Sequence, residues 1–274
     1  MKTKSKILGG LLLLGICWNA SRGESAPPRV QQIIAHRGAS AERPECTLSA
    51  FQRAIQVGAT AVEMDVRTSR DGFLFLLHDA TLDRTTNGSG IASEKTLAEL
   101  KQLDAGSWFD KKYQTERIPE LREALLQCKT KIDVLLDLKE QGQDYDRQVA
   151  AAVKKYGDPR RTILGVRSVE QARLFRKLLP QARQLGLIPN PDAISDFVEA
   201  QVEMIRLWPK WITDDSLVKE VKQRGAQLHL NGTTGLPQEI KPLLVHQPDS
   251  LSADDPAQLI KTLKAHQALQ PCHR

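Results

Sequence analysis

Seven side chains between residues 36 and 139 have the types and spacing for metal-assisted acid–base chemistry: His36, Arg37, Glu63, Asp65, His78, Asp137 and Lys139. Glu63 and Asp65 are two residues apart, so on a strand both carboxylates point to the same side. Two acids held that close repel unless a proton or cation lies between them. Asp137 can supply a third oxygen, and three carboxylates with room left for water suit one divalent cation, Mg²⁺ or Ca²⁺, better than a soft metal. His36 and His78 are the natural proton-transfer pair because imidazole titrates near neutrality. Arg37 offers a planar fork and Lys139 a point charge to an anion. The competing structural readings are a solvated polar strand face for Glu63 and Asp65, and a plain salt bridge between Asp137 and Lys139.

These residues need strand ends to bring them together, and the sequence supplies the strands. Short apolar runs fall at Gln32–Ala35, Ala61–Val66, Phe73–Leu77, Ile132–Leu138, Thr162–Val166, Gln184–Ile188, Met204–Leu207, Ala226–Leu230 and Asp249–Ser252. Helical patterns lie among them at Thr47–Val57, Leu121–Gln127, Tyr145–Tyr156, Val169–Leu179, Ser216–Gln223 and Pro256–Ala265. This alternation predicts an α/β fold with a mainly parallel sheet. The 274 residues and 41% hydrophobic content fit a TIM (β/α)8 barrel, for which about 250 residues is typical. The nine strand candidates exceed eight, and the short Asp71-Gly72 link makes the third a hairpin-like excursion from the second. The long stretch from Asp79 to Pro119 predicts a small insertion after this second/third strand region. In a parallel barrel the strand ends share one face, which collects the seven side chains.

Glu140 marks an alternative register. It faces the other way from Asp137 and Lys139, and a one-residue slip would make it the ligand instead.

Residues 1–23 read as an export signal: Lys2, Lys4 and Lys6, then an apolar run from Ile7 to Trp18 that is short for a membrane span, then small residues allowing cleavage after Gly23. Residues 24–30 form a spacer and 31–274 the barrel, expected to be periplasmic or secreted and without a membrane span. Removing the leader deletes four positive charges and no acid, lowering the formal net charge from +6 to +2, so no nucleic-acid partner is inferred. Cys46, Cys128 and Cys272 then remain, too widely spaced for a zinc motif and open to one disulfide or none.

The runs AHRGASAERPECTLSAFQRAI, GATAVEMDVRTSRDG and LHDATLDRTTNGSG, followed by LDAGSWF and Ile118-Pro119, strongly resemble the glycerophosphodiester phosphodiesterase family. The resemblance is dense over about residues 33–140 and resumes in DSLSADDPAQLIKTL. It implies a TIM barrel that uses a divalent ion to hydrolyse glycerophosphodiesters to glycerol phosphate and an alcohol. His36 and His78 match the acid–base histidines, Arg37 the phosphate-binding arginine, and Glu63 and Asp65 metal ligands. Glu45 matches a glutamate close to the metal, and Asp137 and Lys139 stand where the family reads Glu-x-Lys.

Three departures accompany the match. Cys46 replaces an asparagine, so local hydrogen bonding must differ. Asp137 is one methylene shorter than Glu, although related sphingomyelinase-D-like barrels carry Asp there. LHLNGT at Leu228–Thr233 replaces an aromatic strand, which bears on substrate choice. Arg167 and Trp208 are candidate pocket residues at later strand ends. Trp208, Trp211 and Ile212 would form the apolar rim of a lipid phosphodiesterase, such as a lysophospholipase D or sphingomyelinase D-like enzyme. A barrel that binds phosphate esters without catalysis is the third reading.

Overall fold

Two-residue periodicity along short, largely buried strands organises the whole molecule. The computed structural model describes residues 30–231 and 234–269. The expected leader, most of the expected spacer, Cys17, Cys272, Gly232 and Thr233 lie outside the described residues. The strands are β1 (Gln32–Ala35), β2 (Ala61–Thr68), β3 (Leu74–Leu76), β4 (Asp133–Leu138), β5 (Thr162–Val166), β6 (Arg183–Gly186), β7 (Met204–Leu207), β8 (Gln227–Asn231) and β9 (Ser250–Ala253). The helices are α1 (Leu48–Val57), α2 (Leu97–Leu100), α3 (Leu121–Cys128), α4 (Gln143–Tyr156), α5 (Val169–Leu178), α6 (Ile194–Glu199), α7 (Ser216–Gln223), α8 (Pro237–Leu244) and α9 (Pro256–Ala265).

All the strands except β3 pair in parallel in the order β1-β2-β4-β5-β6-β7-β8-β9, and β9 returns to β1. That closes an eight-stranded TIM-type barrel and leaves no open parallel edge. The ninth strand is the expected excursion: β3 folds back antiparallel on the end of β2 through a turn at Gly72, whose φ is 82°. Helices α2, α6 and α8 escaped the sequence reading because they are short or, in α8, interrupted by Pro242.

Inside the barrel, alternate residues stack in layers. Gln32, Asp133, Arg183, Gln227 and Ser250 form a polar lower layer around a cavity of about 240 Å³. Ile34, Ala61, Leu135, Ile163, Leu185 and Met204 form the apolar middle. One step further along the strands come Glu63, Asp137, Arg206, His229 and Ser252. The intervening residues, such as Val62, Met64, Val66, Leu136 and Leu164, face outward into the helix-covered core. Each such side chain contributes about 1.5–3 kcal/mol by leaving water. The outer core therefore supplies the stability, and the upper interior can carry charge.

The expected insertion has a small core of its own, with Phe75, Leu77, Leu82, Leu100 and Ile118 buried together. A capping box between Thr96 and Glu99 starts α2, and Asp71 accepts a hydrogen bond from the Leu97 N–H at 2.9 Å. These contacts pin the insertion to the β2–β3 turn. Among the described residues, no helix is long and apolar enough to cross a membrane.

The turn leaving β1 depends on Gly38. Its φ is 84°, and a Cβ there would stand 2.6 Å from the Ala50 Cβ on α1. Gly38→Ala should therefore cost about 2 kcal/mol, through a disfavoured backbone and forced separation of α1. Urea unfolding measures it, and an unchanged midpoint would show that the turn relaxes freely.

Candidate active site

The mouth of the barrel is built first from the β1 turn. His36 follows the last residue of β1, and its N–H donates to the Ala253 carbonyl on β9 at 3.0 Å. Arg37 and Cys46 both hold left-handed backbone conformations, with φ of 57° and 56°. Such conformations cost of order 1 kcal/mol each and need local compensation. The Arg37 N–H donates to the Glu63 carboxylate at 2.7 Å, and the Cys46 N–H donates to the Arg37 carbonyl at 3.0 Å. The Cys46 thiol, in place of an amide, points at Asp65 with Sγ 3.3 Å from Oδ2. Burial and the neighbouring carboxylates push that thiol well above its ordinary pKa, so it serves as a neutral donor. Cys46 and Cys128 are buried free thiols.

Three carboxylates converge beside this turn. Glu63 and Asp65 come from β2 and Asp137 from β4, where Asp65 and Asp137 are direct register partners. One oxygen from each can be chosen so that all lie within 4.8 Å, and all three residues are buried. Lys139 bridges two of them, with its Nζ 2.8 Å from both Asp65 and Asp137. Arg37 donates to Glu45 at 3.0 Å, and its Nε lies 3.7 Å from Asp65. Burial alone would raise the Asp65 pKa, but Lys139, His78 and Arg37 override it and hold the group at about 2. Glu63 goes the other way: burial and the charges of Asp65 and Asp137 raise its pKa well above the ordinary carboxylate range. Burial opposes the charge on Arg37 and Lys139, and the carboxylates around them outweigh it, raising both.

Each histidine is held at Nδ1 by a carboxylate. His36 Nδ1 lies 2.7 Å from Asp254, which also accepts from the Ser40 hydroxyl at 3.0 Å. His78 Nδ1 lies 2.7 Å from Asp79. A carboxylate at Nδ1 favours the tautomer with its proton there, leaving Nε2 as the unprotonated nitrogen of the neutral ring. Burial lowers the His78 pKa, against the opposing pull of Asp65 and Asp79. Arg84 from the insertion ties the second pair into the site, donating to Asp79 at 2.6 Å and to both Glu45 oxygens at 2.7 and 2.8 Å. Glu45 therefore stands between Arg37 and Arg84 rather than within the carboxylate trio.

Both histidines, Arg37, Asp137 and Lys139 line a cleft of about 510 Å³ together with Arg167, Arg206, Trp208, Asn231 and Asp254. Arg167 reaches Asp137 at 2.5 Å and the Leu138 carbonyl at 2.6 Å. Gly165, beside Asp137 in the register, leaves room there, since a Cβ would lie 3.3 Å from the Asp137 Cα. Glu140 points away and accepts from the Thr68 N–H at 2.8 Å, so the slipped register does not occur. Trp211 and Ile212 pack against the main core, which leaves only Trp208 of the three rim candidates at the cleft.

Four cleft or floor residues escaped the sequence reading: Asp254, Arg206, His229 and Asn231. A signal was present in each case, since polar residues break the apolar strands MIRL and LHL, and Asp254 follows β9 directly. Arg84 was hidden more deeply, because only the folded insertion brings it back to Glu45.

An eight-stranded parallel barrel with acids, bases and cations gathered at the strand ends has the architecture of a barrel hydrolase. The sequence matches the Glycerophosphoryl diester phosphodiesterase family over residues 36–258, and the chain belongs to that family. It is 32% identical over 239 residues to a glycerophosphodiester phosphodiesterase of Caldanaerobacter subterraneus subsp. tengcongensis, covering 85% of this chain and 97% of that one. A crystal structure of glycerophosphodiester phosphodiesterase from Agrobacterium tumefaciens superposes with a TM-score of 0.73 at 27% identity, covering 85% of this chain and 100% of that one. A phosphodiesterase from Oleispira antarctica, solved with the product sn-glycerol-3-phosphate, gives 0.76 at 26% identity, with 86% and 97% covered.

The opposite shifts of Asp65 and Glu63 set opposite stability effects. A depressed carboxylate stabilises the fold above its unfolded pKa and loses that contribution as pH falls through about 2. A raised one costs stability as pH climbs from its unfolded value through its folded value. In chelator at pH 7, Asp65→Asn should therefore lose about 2 kcal/mol, while Glu63→Gln should gain stability. Paired urea titrations check both signs, and a loss in Glu63→Gln would contradict this electrostatic account.

Proposed function

We propose that the protein hydrolyses glycerophosphodiesters to glycerol phosphate and an alcohol, using a divalent cation held by Glu63, Asp65 and Asp137. The observation that carries this reading is the pairing of two carboxylate-held histidines in one cleft with a buried carboxylate trio that reaches it through Asp137. Family membership and the product held by the Oleispira antarctica relative support the substrate class.

The donor set suits a hard cation. All three groups are oxygen donors whose spacing fits ligands at about 2.0–2.6 Å from a Mg²⁺ or Ca²⁺ ion. Burial, then the charges of Asp65 and Asp137, raise the proton affinity of Glu63 against the pull of Lys139 and the Arg37 N–H. Bound there, the ion supplies positive charge to a phosphate oxygen.

The chain's own groups do the rest. Arg37 and Lys139 line the same cleft and draw the diester phosphate into it. His36, oriented by Asp254, takes the proton from the attacking hydroxyl, which belongs to water or to the neighbouring glycerol carbon; in the second case the alcohol leaves a cyclic phosphate, which water then opens to glycerol phosphate in a second step. His78, oriented by Asp79 and Arg84, returns a proton to the departing alkoxide. Glu45 holds Arg37 and Arg84 in register, coupling the β1 turn to the insertion.

His36→Ala and His78→Ala should each lower kcat by roughly 10²–10⁴ with little change in KM. Steady-state assay of glycerol phosphate release measures this, and near-normal turnover in both variants would sink the two-histidine scheme.

Chelation should abolish turnover, and Mg²⁺ or Ca²⁺ should restore it. At about 100 times its dissociation constant the ion should also add about 2.7 kcal/mol of stability. Asp137→Asn should blunt that gain in a melting experiment. Full activity in chelator would refute the metal requirement.

A further inference from the structure

Arg206 differs from the other cleft cations in its partners. Arg37 is held by Glu45, Lys139 by Asp65 and Asp137, and Arg167 by Asp137. Among the described residues Arg206 makes no ion pair or hydrogen bond, and its Nε is shut off from solvent without a partner. A buried guanidinium with unspent donors is costly to maintain without an acceptor. Its guanidinium carbon lies 4.4 Å from the centre of the Trp208 ring, so one aromatic face is already covered by a cation.

Its position is equally specific. Around the ring β1-β2-β4-β5-β6-β7-β8-β9, β7 is four strands from β2 in either direction. Arg206 therefore faces Glu63 and Asp65 across the mouth of the barrel. A diester whose phosphate lies against the β1, β2 and β4 side must send one alcohol limb towards β7. There it meets N–H donors and positive charge in place of a bare aromatic face.

We propose that Arg206 and Trp208 form a head-group subsite that accepts polyhydroxylated or anionic alcohols and rejects cationic ones. Hydroxyl or carboxylate oxygens of the head group take the free guanidinium donors. A choline or ethanolamine head group finds the ring face occupied and meets like charge in a half-buried cleft. Of the two carboxylates lining this cleft, half-buried Asp254 is committed to His36 and Ser40, and Asp137 is committed to Lys139 and Arg167, so neither pairs directly with Arg206. This selectivity rests on the diesterase reading above, and binding tests it separately from turnover.

Calorimetry and initial rates with glycerophosphoinositol and glycerophosphocholine, on the full metal-supplemented protein, provide the test. The wild type should favour the inositol ester by roughly tenfold in both Kd and kcat/KM. Arg206→Met should erase most of that preference, chiefly by improving KM for the choline ester. Arg206→Lys keeps the charge and should keep the preference, and circular dichroism verifies that both variants fold. Equal affinity for the two esters in the wild type would overturn the subsite, as would an unchanged ratio in Arg206→Met or no binding of either ester. Binding with the expected preference but no hydrolysis would support the subsite and refute the diesterase reading instead.

Discussion

The arrangement depends on mutual repulsion among Glu63, Asp65 and Asp137 at a buried barrel mouth. Three acids within 4.8 Å cannot all be ionised in a low-dielectric interior without compensation. Lys139 offsets part of that charge by bridging Asp65 and Asp137, and Arg37 and Arg167 flank the cluster. The residue of the imbalance falls on Glu63, which retains a raised proton affinity. Three oxygen donors gathered this closely form a group that could hold a metal ion.

The same constraint explains why the scaffold is a closed barrel. Outward-facing side chains bury against the helices and carry the hydrophobic stabilisation, while inward positions at the strand ends are free to be polar. The apolar middle layer separates the charged mouth from the polar lower layer. Rigid strands hold Asp65 and Asp137 in register, which a loop could not do as reproducibly.

The insertion extends this logic beyond the strands. Its buried core gives Arg84 a fixed base from which to reach both Asp79 and Glu45. One guanidinium thereby couples the orientation of His78 to that of Arg37. The opposite wall is organised differently, with Arg167 drawn to Asp137 and Arg206 left resting on Trp208. The cleft is thus asymmetric, dense with ion pairs on one side and holding unspent donors on the other.

Much of this was legible in the sequence because local periodicity determines it. Glu63 and Asp65 share a face because strand side chains alternate, and the same rule puts Asp137 with Lys139 and turns Glu140 away. The strand–helix alternation and the short Asp71-Gly72 link were enough to give the barrel and to set β3 aside from its eight parallel strands. Partnerships across the barrel were not legible, because they join residues with no local relation. His36 and Asp254 are 218 positions apart, and Arg84 and Glu45 are 39 apart. Closure of β9 onto β1 creates the first pair, and folding of the insertion creates the second. The sequence by itself determined which residue types stand at the strand ends, since alternation and turn chemistry act over a few residues. Only the tertiary structure decided which charges are neutralised and which, like Arg206, are left open, since that depends on distances set by ring closure.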